Sequence, residues 1–209
     1  MIQILIADDH AVVRKGLARI LLDEFSGATI VEVGNSEDLV KKAIKGSWDV
    51  IISDLSMPGR SGLDALRQLK EMLPKIPVLI MSIHPEDQYA VRVLKAGGSG
   101  YLSKESAPDE LVKAVRLVLA GKKYVSASTA EKLAVSVAKD HEKSSHEHLS
   151  DREFDVLKLI AAGKSVSEIA RQLSLSVTTI STYRSRVMAK LNIRTNAGLT
   201  MYALDNQLL

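Results

Sequence analysis

The 209-residue chain contains no cysteine, so it has no disulfide framework, no thiolate zinc site and no cysteine nucleophile, which suits a reducing compartment. Aromatic residues make up only 4% of it, with a single tryptophan; its cores must be aliphatic. No run approaches the ~18 apolar residues of a membrane span. The opening Met1-Ile2-Gln3-Ile4-Leu5-Ile6-Ala7 passes into Asp8-Asp9 without a basic leader or cleavage site, so a cytoplasmic protein with no membrane partner is expected. The most local absence is of acid. From Ile169 to Leu204 there is no Asp or Glu, while Arg171, Arg184, Arg186, Lys190 and Arg194 are basic. Residues 1–125 hold 17 basic and 16 acidic side chains, 126–148 hold 3 and 4, and 149–209 hold 8 and 5, which sums to the net charge of +3. The excess sits at the C-terminal end, and a polyanion is its natural partner.

With 46% hydrophobic and 25% charged residues, the chain can bury real cores and is not disordered as a whole. Its length fits one large domain or two small ones. The first 120 residues alternate short β-branched runs with segments of helical period, the pattern of repeated βα units around a parallel sheet. Five strands are expected, at Ile2 to Ala7, Thr29 to Val33, Val50 to Ser53, Val78 to Met81 and Gly100 to Leu102. Helical periods follow at Val13, Leu17, Ile20 and Leu21, at Leu39, Ala43 and Ile44, at Leu63, Leu66 and Leu69, and at Leu111, Val115 and Val118. The fold expected is a (βα)5 doubly wound α/β domain over residues 1–121, with its chemistry at the carboxyl ends of the strands. Residues 122–147 read as a polar linker, and His141, His146 and, at its end, His148 are expected to be solvated and not metal ligands. Residues 148–209 then form a small all-α domain, with helices expected at Ser150 to Ala161, Ser165 to Leu173, Val177 to Leu191 and Ala197 to Leu204.

Asp8 and Asp9 end the first strand and Asp54 the third. With those strands adjacent, the three carboxylates converge and need a cation; all-oxygen donors of this kind suit Mg2+. Ser82 follows the fourth strand and Lys104 the fifth. Carboxylates, a hydroxyl and an ammonium at one sheet edge can support attack of a carboxylate on phosphorus. Pro58, Gly59 and Gly62 suit a tight turn after Asp54, and His10 is expected to be an exposed helix-start residue. In the second part, Ser150-Asp151-Arg152-Glu153 is a capping box and Ser165 to Glu168 repeats the pattern. Two helices joined by the tight turn Ser174-Leu175-Ser176 suggest helix-turn-helix. On the second of these, Ile180, Val187 and Leu191 form a core stripe, opposite an acid-free face of Thr178, Ser181, Thr182, Ser185, Arg186 and Ala189 that can enter a major groove.

Ala7-Asp8-Asp9-His10, the run Asp54-Leu55-Ser56-Met57-Pro58-Gly59-Arg60-Ser61-Gly62, Ser82 and Lys104 together resemble the receiver domain of bacterial two-component response regulators. The resemblance implies that a sensor histidine kinase phosphorylates Asp54, and that Asp8, Asp9, Asp54 and the carbonyl of Ser56 hold Mg2+. It further implies that Ser82 and Lys104 bind the phosphoryl group, and that Tyr101 occupies the aromatic switch position. Autodephosphorylation would be slow and the protein no enzyme of its own. Glu105 stands where many receivers have proline. Residues 148–207 resemble the LuxR-type DNA-binding domain of the NarL/FixJ class, through Leu149-Ser150, Arg152-Glu153, Glu168-Ile169-Ala170, Val177, Thr179 to Tyr183 and Lys190 to Ile193. That likeness implies base contacts from Ser181, Thr182 and Ser185, and phosphate contacts from Thr178, Thr179, Arg186, Lys190 and Arg194. Ser181 and Tyr183 depart from the lysine and histidine common there, so base readout would lean on hydroxyls and water. The last helix, with Leu199, Met201, Tyr202 and Leu204 presenting apolar surface, would pair two copies on double-stranded promoter DNA, and RNA polymerase is a further candidate partner. An aspartyl phosphohydrolase would instead need Asp-x-Asp after the first strand and a substrate cap, and the chain has neither. A third reading makes the helical part a protein-interaction module; the acid-free stretch argues against it, and a gel shift on genomic DNA would decide.

Overall fold

The computed structural model of the chain describes residues 1–57, 61–126, 129–131 and 145–209, and divides into two compact units, residues 1–137 and 138–209. In the first unit the strands are β1 (Gln3–Ala7), β2 (Thr29–Val33), β3 (Val50–Asp54), β4 (Val78–Ser82) and β5 (Gly100–Ser103). They form one parallel sheet in the order β2-β1-β3-β4-β5. β3 and β4 are buried along their whole length, which is why they are spelled as unbroken Val/Ile/Leu runs and not as an alternation. The helices between them are α1 (Ala11–Glu24), α2 (Ser36–Lys45), α3 (Gly62–Met72), α4 (Glu86–Lys95) and α5 (Ala107–Leu119). α1 and α5 pack together and cover one face of the sheet through Leu17, Leu21, Leu111 and Val115. Because the order turns back between β1 and β3, the crevice at their carboxyl ends is the topological switch point, where side chains after the strands face open space.

Helix α4, for which no helical period was expected above, buries Tyr89, Ala90 and Val93 among its described side chains. The sheet also continues past the expected end of the domain. Tyr124, inside the stretch expected to be linker, is buried and makes a parallel bridge with Gly100. Gly62 starts α3 with its N–H on the Leu55 carbonyl at 3.1 Å, and a Cβ there would stand 2.4 Å from that oxygen. Only glycine permits so close a return of the chain after β3. Pro58 and Gly59 of the same turn lie outside the described residues.

The second unit opens with a 3-10 turn (Ser145–His148), followed by α6 (Asp151–Ala161), α7 (Val166–Gln172), α8 (Val177–Leu191) and α9 (Asn196–Asp205). Ser150 and Ser165 each complete a reciprocal capping box, with Glu153 and Glu168, so two backbone donors at each helix start are satisfied locally. Ser174 takes a left-handed φ of 54° in the turn between α7 and α8, and Asn192 one of 55° after α8. Ile180, Val187 and Leu191 are buried against α6 and α7, as the helical projection requires.

His146 corrects an expectation. It is half-buried: its N–H donates to the Tyr202 hydroxyl at 3.1 Å, its Nδ1 lies 3.0 Å from the same oxygen, and its ring stacks on Phe154. It belongs to the second unit's packing and is no solvated linker residue. His141 lies outside the described residues. Among the described residues, no helix is long and apolar enough to cross a membrane.

Candidate functional site

The acidic pocket forms where β1 and β3 end side by side, with Ala7 opposite Ser53. Asp8 is 1% exposed and Asp54 3%. One ligand atom each from Asp8, Asp9, His10 and Asp54 lie within 4.8 Å of one another. Lys104, just after β5, reaches across to both buried acids, with Nζ 2.6 Å from Asp8 Oδ2 and 2.7 Å from Asp54 Oδ2. The other Asp54 oxygen accepts the Ser56 N–H at 3.1 Å. Burial pushes the Asp54 carboxyl above its ordinary range; Lys104 and the Ser56 N–H pull against this, and the neighbouring Asp8 charge adds to the rise. Burial works against the Lys104 charge as well, but Asp54 and Asp8 outweigh it and hold its pKa high.

Three carboxylates facing one ammonium leave an excess of negative charge in a buried place. Oxygen donors this close together fit a hard divalent cation, which would complete the neutralisation that one lysine only begins. His10 stands at the start of α1, as expected, but its Nδ1 also lies 2.7 Å from Asp9 Oδ1 and 3.3 Å from Asp8 Oδ1.

Ser82 and Lys104 meet through the main chain: the Lys104 N–H donates to the Ser82 carbonyl at 2.9 Å. The fully buried Ser82 Oγ accepts the His84 N–H at 3.1 Å. Tyr101 is fully buried, and its hydroxyl donates to the His84 carbonyl at 2.7 Å. Two contributors escape sequence reasoning. His84 Nε2 lies 2.8 Å from Ser56 Oγ and its ring stacks on Tyr89, joining the loops after β3 and β4. Arg14 Nη1 donates to the Asp8 carbonyl at 2.5 Å, with Nε 3.4 Å from Glu32. Both partnerships join residues whose spacing announces nothing.

In the second unit, the exposed face of α8 presents Thr178, Ser181, Thr182, Ser185 and Arg186, and Arg194 is exposed beyond its end. A shallow depression there is lined by Ser176, Thr178, Thr179, Thr182, Tyr183 and Arg186. Thr182 and Ser185 donate their hydroxyl protons to the carbonyls four residues back, both at 3.0 Å, so each turns lone pairs outward as an acceptor. Thr179 is half-buried and shares the cap of α8 with Ser176, hydroxyl to hydroxyl at 2.7 Å.

Lys190, expected at the phosphates, has a protein partner here. Its Nζ lies 2.6 Å from Glu153 Oε2 and 3.2 Å from the His148 carbonyl, so its charge is engaged in joining α8 to α6. Arg184 Nε donates to Asn196 Oδ1 at 2.7 Å. On α9, Leu199 is fully buried, contrary to expectation, while Met201 is 60% and Leu204 55% exposed.

Residues 4–116 match the family described as "Response regulator receiver domain", and residues 147–203 that described as "Bacterial regulatory proteins, luxR family". The chain is a NarL/FixJ-class response regulator. It is 37% identical over 209 residues to the response regulator UvrY of Escherichia coli K12, covering all of this chain and 96% of that protein. It is 36% identical over 205 residues to the response regulator GacA of Pseudomonas aeruginosa, covering 98% and 96%. Among solved structures it resembles the RcsB response regulator of Salmonella typhimurium, with TM-score 0.62 and 29% identity over 97% of this chain and 98% of that one. An RcsB–DNA complex gives TM-score 0.59 and 30% identity over 96% of each chain. The regulator is therefore a phosphorylation-dependent transcriptional regulator, with its receiver in the first unit and a LuxR-type helix-turn-helix in the second.

Proposed function

We propose that Asp54 is the phosphoacceptor of this regulator and that α8 is the helix that reads promoter DNA. In the transfer step an Asp54 carboxylate oxygen attacks phosphorus and the bond from phosphorus to the kinase histidine breaks, leaving an acyl phosphate on Asp54. Asp8, Asp9, Asp54 and the Ser56 carbonyl would hold Mg2+, which when bound draws charge from the transferring phosphoryl oxygens. Lys104, already on Asp54 Oδ2, turns to the new phosphoryl oxygens, and the Ser82 hydroxyl donates to one of them. The loop after β4 moves inward with Ser82, and Tyr101, whose hydroxyl rests on that loop at His84, follows it. Loss of the phosphoryl group is slow and needs no further catalytic residue. The observation that carries this reading is Lys104 bridging two buried aspartates at a strand-end crevice.

On the output side, Ser181, Thr182 and Ser185 face base edges, and Thr178, Arg186 and Arg194 the phosphates, with Thr179 supporting the helix start. The exposed Met201 and Leu204 of α9 suit pairing of two copies on two half-sites, with RNA polymerase as a further partner. Nothing in this scheme needs a membrane, and it suits the cytoplasm. Acetyl phosphate with Mg2+ should label the native chain and not Asp54→Asn; persistent labelling removes Asp54 from this role. A fragment beginning near residue 140 should bind DNA with a steep salt slope, and no binding at low salt would overturn the assignment of α8.

A further inference from the structure

Residues 122–126, expected to begin a free linker, run as a strap over the open edge of β5. The Tyr124 N–H donates to the Ser99 carbonyl at 3.0 Å, and its own carbonyl accepts the Tyr101 N–H at 3.0 Å. Gly100 lets the strap lie this close, since a Cβ there would meet Tyr124 O at 2.5 Å and Tyr124 Cβ at 2.9 Å. The strap is then pinned to two different helices. The Tyr124 hydroxyl donates to Glu110 Oε2 of α5 at 2.8 Å, and the Ser126 N–H donates to Glu86 Oε1, on the first residue of α4, at 2.8 Å. Lys123 Nζ holds the Gly98 carbonyl, before β5, at 2.5 Å.

Two of the strap's bonds lead back to the phosphorylation pocket, those to Tyr101 and Glu86. Tyr101 gives its N–H to the strap and its hydroxyl to His84, and His84 gives its N–H to Ser82 Oγ. Glu86 follows His84 by two residues, where the loop enters α4. Any displacement of Ser82 toward Asp54 therefore acts on the strap along two routes, through the Tyr101 main chain and through the Glu86 carboxylate.

We propose that this strap is the receiver's transmission element: it is fastened to Glu86 in the unphosphorylated chain and is released at Glu86 when the loop after β4 moves. Because the strap is the root of the segment that leads to the DNA-binding unit, its release passes the state of Asp54 into that segment. The inference rests on the assignment of Asp54 and Ser82 made above. It adds two positioning residues, Glu86 and Tyr124, and a steric requirement at Gly100.

The test is amide hydrogen exchange on the full chain, with and without beryllofluoride and Mg2+, and with acetyl phosphate labelling of Asp54 as a parallel readout. Beryllofluoride should speed exchange at Ser126 on the order of tenfold, the scale of one lost bond to a charged acceptor. Glu86→Ala should be fast from the start and gain nothing further. Glu86→Gln keeps an acceptor oxygen and should behave as the native chain, while Gly100→Ala should lift the strap by contact alone. All four chains should still be labelled at Asp54. If Ser126 exchange ignores beryllofluoride while Asp54 is labelled normally, the strap does not read the pocket and the proposal falls alone. If Asp54 is not labelled at all, the underlying assignment falls and takes the strap with it.

Discussion

Lys190→Met separates a structural lysine from one that holds DNA. Its ammonium lies 2.6 Å from Glu153 Oε2, with the Lys190 side chain 41% exposed and that of Glu153 4%. Removing one partner of a fully buried pair costs about 3–5 kcal/mol. Here Glu153 keeps the Ser150 N–H at 2.7 Å and the N-terminal end of α6, and the half-exposed lysine is partly screened. About 2 kcal/mol is therefore expected, which is about 30-fold in the folded ratio. Hydrogen exchange of α6 and α8 amides in the full chain reads that figure where global unfolding would mix the two units. Acid should erase the difference. Burial works against the Glu153 charge, but Lys190 and Ser150 outweigh it and hold its pKa below the usual 4.5. The stability gained is therefore present above pH 4.5 and lost as pH falls through the lowered value. Once Glu153 is protonated, the native chain and the variant converge. On DNA the variant should keep its salt slope. Unchanged exchange in α6 and α8, with a slope flattened by about 0.9, would return Lys190 to the phosphates and refute the reasoning.

Arg186→Ala is the converse case: exposed on α8, it should leave stability within about 0.5 kcal/mol and flatten the salt slope of DNA binding by about 0.9, as a fluorescence anisotropy titration would measure. Asp54→Asn should raise the melting temperature of the receiver at neutral pH in the absence of divalent ions. Its pKa is raised in the fold, so the stability that the protonated acid retains below pH 3.8 is lost as pH rises through the higher value. A scan toward acid should close the gap between the two chains. Gly62→Ala places a Cβ 2.4 Å from the Leu55 carbonyl and should displace the turn after Asp54, costing labelling rate as well as stability. A variant labelled at the native rate would show that the turn gives way freely.

What could be read in the sequence was what depends on neighbours along the chain. The strand limits fall within one residue of those expected, because period and burial are both written into short Val/Ile runs. The capping boxes at Ser150 and Ser165 were legible because their four residues supply both halves of each bond. Helix α4 was less so, although Tyr89, Ala90, Val93 and Leu94 recur at helical spacing, because that period spans barely two turns. Long-range pairs were invisible for a different reason. The LuxR-type likeness set Lys190 among the phosphate contacts, and nothing in the local spacing could announce a partner 37 residues away. Tyr124 sits after Gly121-Lys122-Lys123, a string with the look of a linker, and only the bare edge of β5 beside Gly100 makes it part of the sheet. His146 was misjudged in the same way, its partners Phe154 and Tyr202 lying on two other helices.

With Asp54 as the phosphoacceptor proposed above, the pocket gives a physical reason for a chemical event there to become a movement. In the unmodified receiver, Lys104 divides its charge between Asp8 and Asp54, both almost wholly buried, and a lone ammonium cannot satisfy them and a phosphoryl group of about −2 charge together. Adding the phosphoryl group changes where the strongest pull on Lys104 lies. Lys104 does not respond alone, because its N–H is on the Ser82 carbonyl at 2.9 Å. On the proposed assignment, the end of β4 and the end of β5 would therefore shift together. Ser82 carries His84 with it, His84 carries the Tyr101 hydroxyl, and Tyr101 shares its N–H with Tyr124. A change of charge at that carboxylate would then have a path to the far edge of the sheet through hydrogen bonds of 2.7–3.1 Å.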